Sequence, residues 1–286
     1  MSRRRIVSLA RAAVALSPVL TARCTPVEAL NATVDTSGLR VTRDVPFAAG
    51  PRGMMDVYRP DSDALLPVVV FFYGGAWQSG RRQDFVFVAA DLARRGFVVV
   101  VPDYRLYPEV PFPVFLEDAA VATAAVQARA AEWGGDAGHV FVSGHSAGAW
   151  LATMLALDPR WLAAAGGGRD RLAGVVGIAG PYDFLPITGA DIKAVFSAAA
   201  EPRDSQPIAF VDGRNPPMLL LHGADDDTCY PRNSLALAAR VTAAGGPARV
   251  KIYPDVGHIG IVLGFAAMFR TWSPVLDDVA GFASPA

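Results

Sequence analysis

The pentapeptide Gly144-His145-Ser146-Ala147-Gly148 constrains this chain more than any other stretch. Before it, Val140-Phe141-Val142 is β-branched and aromatic and reads as a short buried strand. After it, Ala149 to Leu157 is rich in helix formers. Strand, sharp turn and helix therefore follow one another with a serine at the apex. Such a turn leaves no room for a Cβ at either glycine, because strand and helix press together there. The serine is pushed out above the sheet, over a helix N-terminus with free N–H groups. This is the pattern of a nucleophile elbow.

The rest of the chain supplies the sheet such an elbow needs. Leu66 to Phe72 and Phe97 to Val101 are continuous apolar runs, expected of strands buried on both faces of a parallel sheet. Val41 to Phe47 and Met54 to Tyr58 read as two edge strands around a Pro51-Arg52-Gly53 turn. Leu172 to Ala179, Met218 to Leu221 and Ala248 to Tyr253 read as further strands. Between them, Phe85 to Arg95, Phe115 to Trp133, Ser234 to Ala244, Gly260 to Trp272 and Val275 to Phe282 carry helical patterning. The alternation predicts an α/β class with a doubly wound, mostly parallel sheet. Residues 181–217 are proline-rich and irregular, and are expected to form a small lid within a single domain spanning 39–286.

Ahead of that domain, residues 1–31 read as a leader or a flexible extension. Arg3-Arg4-Arg5 is followed by a mostly apolar run to Ala22, so an exported or cell-envelope location is expected, with a cytoplasmic one as the alternative. Thr21-Ala22-Arg23-Cys24 resembles a lipoprotein box only in part. Net charge is −1, from 26 basic and 27 acidic residues, which favours neither nucleic acid nor an anionic membrane surface. Hydrophobic residues make up 52% of the 286, enough for one substantial core. Cys24 and Cys229 do not suggest a disulfide framework. His139, His145, His222 and His258 lack metal-ligand spacing, so no metal is expected.

A serine hydroxyl needs a positioned base. On an elbow of this kind the acid and then the histidine follow the serine along the chain. His258, just past the last strand, is the base by elimination: His139 precedes the elbow strand, His145 lies inside the elbow and His222 ends a strand at the wrong point in the order. The acid is one of Asp225, Asp226 and Asp227, which leave the preceding strand together. An oxyanion hole is expected from the Ala147 amide and from the Gly74-Gly75-Ala76 loop, where glycine lets backbone approach a substrate.

Taken together, Tyr73-Gly74-Gly75-Ala76-Trp77, Asp103-Tyr104-Arg105-Leu106 with Pro108, Gly144 to Gly148, His222-Gly223-Ala224-Asp225-Asp226 with Tyr230-Pro231, and Gly257-His258 resemble the α/β-hydrolase superfamily. The nearer resemblance is to bacterial carboxylesterases of the hormone-sensitive-lipase-like and feruloyl-esterase-like group, from about Leu39 to the C-terminus. It implies an eight-stranded sheet with a small lid and a triad of Ser146, Asp226 and His258, since the H-G-x-x-D pattern falls on Asp226. It also implies oxyanion donors at Gly75, Ala76 and Ala147, and no cofactor. Tyr73 stands where that family commonly has histidine and is expected to support the loop with its ring. Asp103 and Arg105 are expected in structural ion pairs. Trp77 and Trp150, with the lid, are expected to contact a short-chain or aryl ester. An arylformamidase of the same fold is the rival reading, and a binding protein without catalysis a more distant one.

Overall fold

The computed structural model describes residues 25–284. Eight strands form one sheet: β1 (Leu39–Pro46), β2 (Met54–Pro60), β3 (Leu66–Phe72), β4 (Val98–Pro102), β5 (Gly135–His145), β6 (Leu172–Ile178), β7 (Met218–Gly223) and β8 (Ala248–Tyr253). Their order across the sheet is β1-β2-β4-β3-β5-β6-β7-β8. β2 pairs antiparallel with β1 and with β4, and every pairing from β4 to β8 is parallel. Only β1 of the first two strands is an edge, because β2 is covered on both sides. The valine runs of β3 and β4 are buried throughout, as strands with helices over both faces must be.

The helices are α1 (Pro26–Ala32), α2 (Val86–Arg94), α3 (Val114–Arg129), α4 (Ala147–Leu157), α5 (Pro159–Ala164), α6 (Ala190–Val195), α7 (Arg232–Ala243), α8 (His258–Leu263) and α9 (Val275–Ala283). All of α4 is buried, which suits a helix with no polar stripe. In a sheet wound this way the crevice lies beyond the carboxyl ends of the strands. The loops after β3, β5, β7 and β8 meet there. Residues 181–217 hold α6 and two short 3-10 turns, Pro202–Ser205 and Pro207–Phe210. They close over the aromatic side chains of α3 and α4.

Of the expected boundaries that differ, two bear on the site. The helix expected over Gly260 to Trp272 is broken: α8 stops at Leu263, and a 3-10 turn at Ala267–Phe269 follows. The chain is drawn in so closely at Gly264 that a Cβ there would lie 2.3 Å from Ser273 Oγ. The export segment expected over residues 1–31 lies outside the described residues as far as Cys24. Its last part is helix α1, started by a capping box between Thr25 and Glu28 with Pro26 in the first turn. Among the described residues, no helix is long and apolar enough to cross a membrane.

Below the loop after β3 lies a buried ion cluster. Arg82 is paired with Asp44, Asp56 and Asp103, with its Nε 2.9 Å from Asp56 Oδ1. Asp103 Oδ1 also accepts from the Tyr73 hydroxyl and the Arg82 amide, each at 2.9 Å. Removing this central cation takes the main partner from buried Asp56 and Asp103, leaving them only the more exposed Arg43, 3.3 Å from Asp56, and Arg52, 4.0 Å from Asp103. Arg82→Ala is therefore expected to cost about 3–5 kcal/mol in urea unfolding, and a loss below about 1 kcal/mol would contradict this reading of the cluster.

Candidate active site

Ser146 stands at the end of β5 with φ 56° and ψ −120°, a conformation that side-chain-bearing residues rarely adopt. Its amide is held by the Ile178 carbonyl at 2.9 Å. The two elbow glycines show what forces the turn. A Cβ on Gly148 would lie 2.0 Å from the Phe72 carbonyl oxygen, and one on Gly144 would lie 2.4 Å from Gly148 itself. Strands β3 and β5 and the first turn of α4 therefore meet backbone to backbone.

The structure brings Ser146, His258 and Asp226 together. His258 Nε2 is 2.9 Å from Ser146 Oγ, and its Nδ1 is 2.7 Å from Asp226 Oδ2. A carboxylate only accepts, so Nδ1 carries the proton and Nε2 presents its lone pair to the serine. Of the three adjacent aspartates, Asp226 is the buried one; Asp225 and Asp227 are exposed. Its Oδ1 accepts from the amides of Thr228 and Cys229 at 3.0 and 2.8 Å. Burial by itself would raise this carboxyl. Hydrogen bonds from His222, His258 and the Cys229 amide outweigh that and hold it well below the usual carboxylate range.

Two further histidines belong to the site and were given no part in it from the sequence. His222 is fully buried, with Nε2 2.5 Å from the Cys229 carbonyl oxygen and 3.2 Å from Asp226 Oδ2. Both neighbours accept, so Nε2 carries the proton. Nδ1 takes a bond at 2.7 Å from the Ser234 hydroxyl. His145 lies with its ring centroid 4.8 Å from that of His258, and its Nε2 is 2.9 Å from the His258 carbonyl oxygen. Burial and the neighbouring His258 lower its pKa to about 3, so it stays neutral and donates that bond. Its position inside the elbow points it at the turn that carries the base. Burial, with Asp226 nearby, pushes the Cys229 thiol up to about 12 and keeps it un-ionised.

The loop after β3 carries Gly75 at φ 128° and Ala76 at φ 51°. The Gly75 carbonyl accepts from the amides of Gln78 and Ser79 at 2.9 and 3.0 Å, which curls the loop. Among the described residues, the amides of Gly75 and Ala76 donate to no protein acceptor, nor does that of Ala147, the first residue of α4. Tyr73 braces the loop as expected. Its ring stacks on Tyr104 at 4.6 Å, and its oxygen accepts from Arg52 Nη1 at 3.1 Å. Arg105 forks onto Asp118 at 2.9 and 2.7 Å.

Trp77 and Trp150 stand elsewhere than expected. Both are buried, their rings meet edge to face at 5.4 Å, and Phe196 of the lid packs on each. The Trp150 indole N–H donates to the Ser205 carbonyl at 2.8 Å. A large ring with one donor buries well where a single carbonyl meets it, and here that carbonyl belongs to the lid. Neither tryptophan lines the cleft above Ser146. That cleft, about 1170 Å³, is bounded by the loop after β3, by His258 and α8, and by α1. Among the described residues, no group of three or more histidine, cysteine, aspartate or glutamate side chains is placed to hold a metal ion.

Comparison with known proteins places this geometry. The BD-FAE family model matches residues 55–241. Esterase LipC of Mycobacterium tuberculosis is 33% identical over 208 residues, covering 64% of this chain and 51% of that protein. The isoprenylcysteine alpha-carbonyl methylesterase ICME of Arabidopsis thaliana is 26% identical over 247 residues, covering 78% and 58%. The chain spans about half the length of the curated relatives it matches. Among solved structures, the hyperthermophilic esterase of Pyrobaculum calidifontis superposes with a TM-score of 0.72 at 25% identity, over 90% of this chain and 86% of that one. The thermostable carboxylesterase EstE1 gives a TM-score of 0.74 at 22% identity, over 91% and 94%.

A neutral buried histidine makes stability depend on pH. Below about pH 6.5, the ordinary histidine value, the unfolded chain takes up a proton that folded His145 refuses until about pH 3. Stability is therefore lost as pH falls through that window, by up to about 1.4 kcal/mol per pH unit. His145→Gln, which retains a donor, is expected to flatten the fall in melting temperature between about pH 6.5 and 4.5, above the range where carboxylates titrate. Parallel curves for the two proteins would contradict the assignment.

Proposed function

Because the chain belongs to the BD-FAE family and has the α/β-hydrolase fold, we propose that it is a serine carboxylic-ester hydrolase working through an acyl-enzyme on Ser146. The observation that carries this reading is the continuous path Ser146 Oγ, His258, Asp226, at 2.9 and 2.7 Å, beside three unoccupied backbone donors. The esterase names of LipC and ICME support it.

The roles follow from the atoms. Ser146 Oγ attacks the ester carbonyl carbon while its proton passes to His258 Nε2. Buried, ionised Asp226 holds Nδ1–H and balances the imidazolium. The amides of Gly75, Ala76 and Ala147 receive the negative oxygen, in a region where they have no competing partner. His258 then gives the proton to the departing alcohol, leaving the acyl group on Ser146. Water enters, loses a proton to His258 and releases the carboxylic acid, with the proton returning to Ser146. No step calls on a cofactor. An amide would follow the same path, so an arylformamidase activity is the reading to test alongside.

On a p-nitrophenyl ester, Ser146→Ala is expected to lower kcat by roughly a millionfold, and Asp226→Asn by about 10⁴-fold. Ser146→Ala retaining the wild-type rate would overturn the assignment, and turnover of N-formylkynurenine with none of any ester would turn it to the amidase. For the leader, we propose a cell-envelope location, supported by the basic start and the apolar run to Ala22. The protein is then expected in the envelope fraction, and recovery wholly in the cytosol would refute that.

A further inference from the structure

The cleft over Ser146 is larger and more apolar than a short ester needs, and its outer wall is not the lid. Its volume, about 1170 Å³, exceeds the range of roughly 300–1,000 Å³ usual for small-molecule sites. Ser146, His258 and the loop after β3 line it together with Val27, Leu30, Phe85, Phe87, Val262 and Phe269, and its exposed lining surface is mainly apolar despite Thr33 and Asp84. At its mouth Ile259 and Met268 are exposed by 58% and 59%, so the apolar surface continues outward. A twelve-carbon chain, at about 30 Å³ for each water-sized methylene, fills about 360 Å³, well within the cleft. The lid residues Phe184 and Phe196 face Trp77 and the core instead.

Helix α1 is fastened where it stands. Asn31 Nδ2 donates to the carbonyls of Gln83 and Asp84 at 2.9 and 3.0 Å, and its Oδ1 accepts from the Phe87 amide at 3.2 Å. Glu28 Oε1 meets Arg81 Nη2 at 2.7 Å. These contacts tie α1 to the 3-10 turn Arg82–Phe85, which directly follows the loop bearing Gly75 and Ala76. The wall and the oxyanion donors thus share one anchored stretch.

Resting on the ester-hydrolase reading, we propose that the preferred substrates carry an extended alkyl chain, of about eight or more carbons, and that helix α1 is the wall that selects it. The chain belongs to the acyl or to the alcohol half of the ester; both place the same methylenes against Val27 and Leu30. Each methylene moved from water into such a surface favours the complex by up to about fourfold.

Initial rates below the micellar concentration test this in two arms. One is a p-nitrophenyl acyl series from acetate to dodecanoate, the other a series of alkyl acetates from ethyl to dodecyl. In one arm kcat/KM is expected to rise about twofold to fourfold per methylene beyond butyl length. In Val27→Trp, which fills the cleft, and Asn31→Ala, which releases α1, the ratio of long-chain to short-chain kcat/KM is expected to fall at least about tenfold in that same arm. The ratio within each protein is the readout, so a general loss of folded enzyme does not imitate the effect. A flat or falling profile in both arms, or a ratio unmoved in both variants, overturns the inference and leaves the ester hydrolase standing. Hydrolysis of no ester at any length instead removes the reading beneath it.

Discussion

The backbone contact between Phe72, Gly144 and Gly148 is the constraint on which the site depends. A carbonyl oxygen of β3 sits where a Cβ of Gly148 would be, at 2.0 Å. Strand β5 must therefore turn at once into α4, and Ser146 is left at φ 56° with its side chain toward the crevice. The same closeness puts the first amide of α4 beside the loop that leaves β3. The nucleophile and the two sources of oxyanion donors are placed by one packing contact, not by three separate ones.

Charge is managed in two buried places, by different means. Under the β3 loop, Arg82 meets three aspartates and is the cation they share. Beside the nucleophile the order is reversed. Asp226 is a lone buried carboxylate, and its partners are hydrogen-bond donors: two loop amides and two imidazole N–H groups. Such partners keep it ionised without cancelling its charge, so it remains available to an imidazolium forming on His258. The Ser234 hydroxyl and the Cys229 carbonyl orient His222, and His145 holds the carbonyl of His258. The pair that reacts is thus bracketed by two histidines that do not.

Much of this was legible in the sequence, because chain order and strand ends are local signals. The elbow motif located Ser146, and the order of partners located His258. Asp226 could not be told from Asp225 and Asp227 by spacing alone; the H-G-x-x-D resemblance singled it out, and burial distinguishes it in the structure. His222 and His145 were set aside because order along the chain says nothing of which rings touch across a loop. Trp77 and Trp150 looked like substrate contacts from their places near the loop and the elbow, yet the lid covers them and takes the Trp150 N–H. The role of α1 was hidden most completely. Its residues follow an apolar run that reads as a leader, and the three bonds of Asn31 reach more than fifty positions along the chain.

The most direct test of the account is covalent. Incubation of the full chain with a p-nitrophenyl alkylphosphonate, followed by intact and peptide mass spectrometry, reads the nucleophile without reference to any natural substrate. One phosphonyl group per chain is expected, on the peptide bearing Ser146, with labelling slowed by orders of magnitude in His258→Ala. An adduct on another residue, or equal labelling in the two proteins, would contradict the claim that Ser146 is a nucleophile activated by His258.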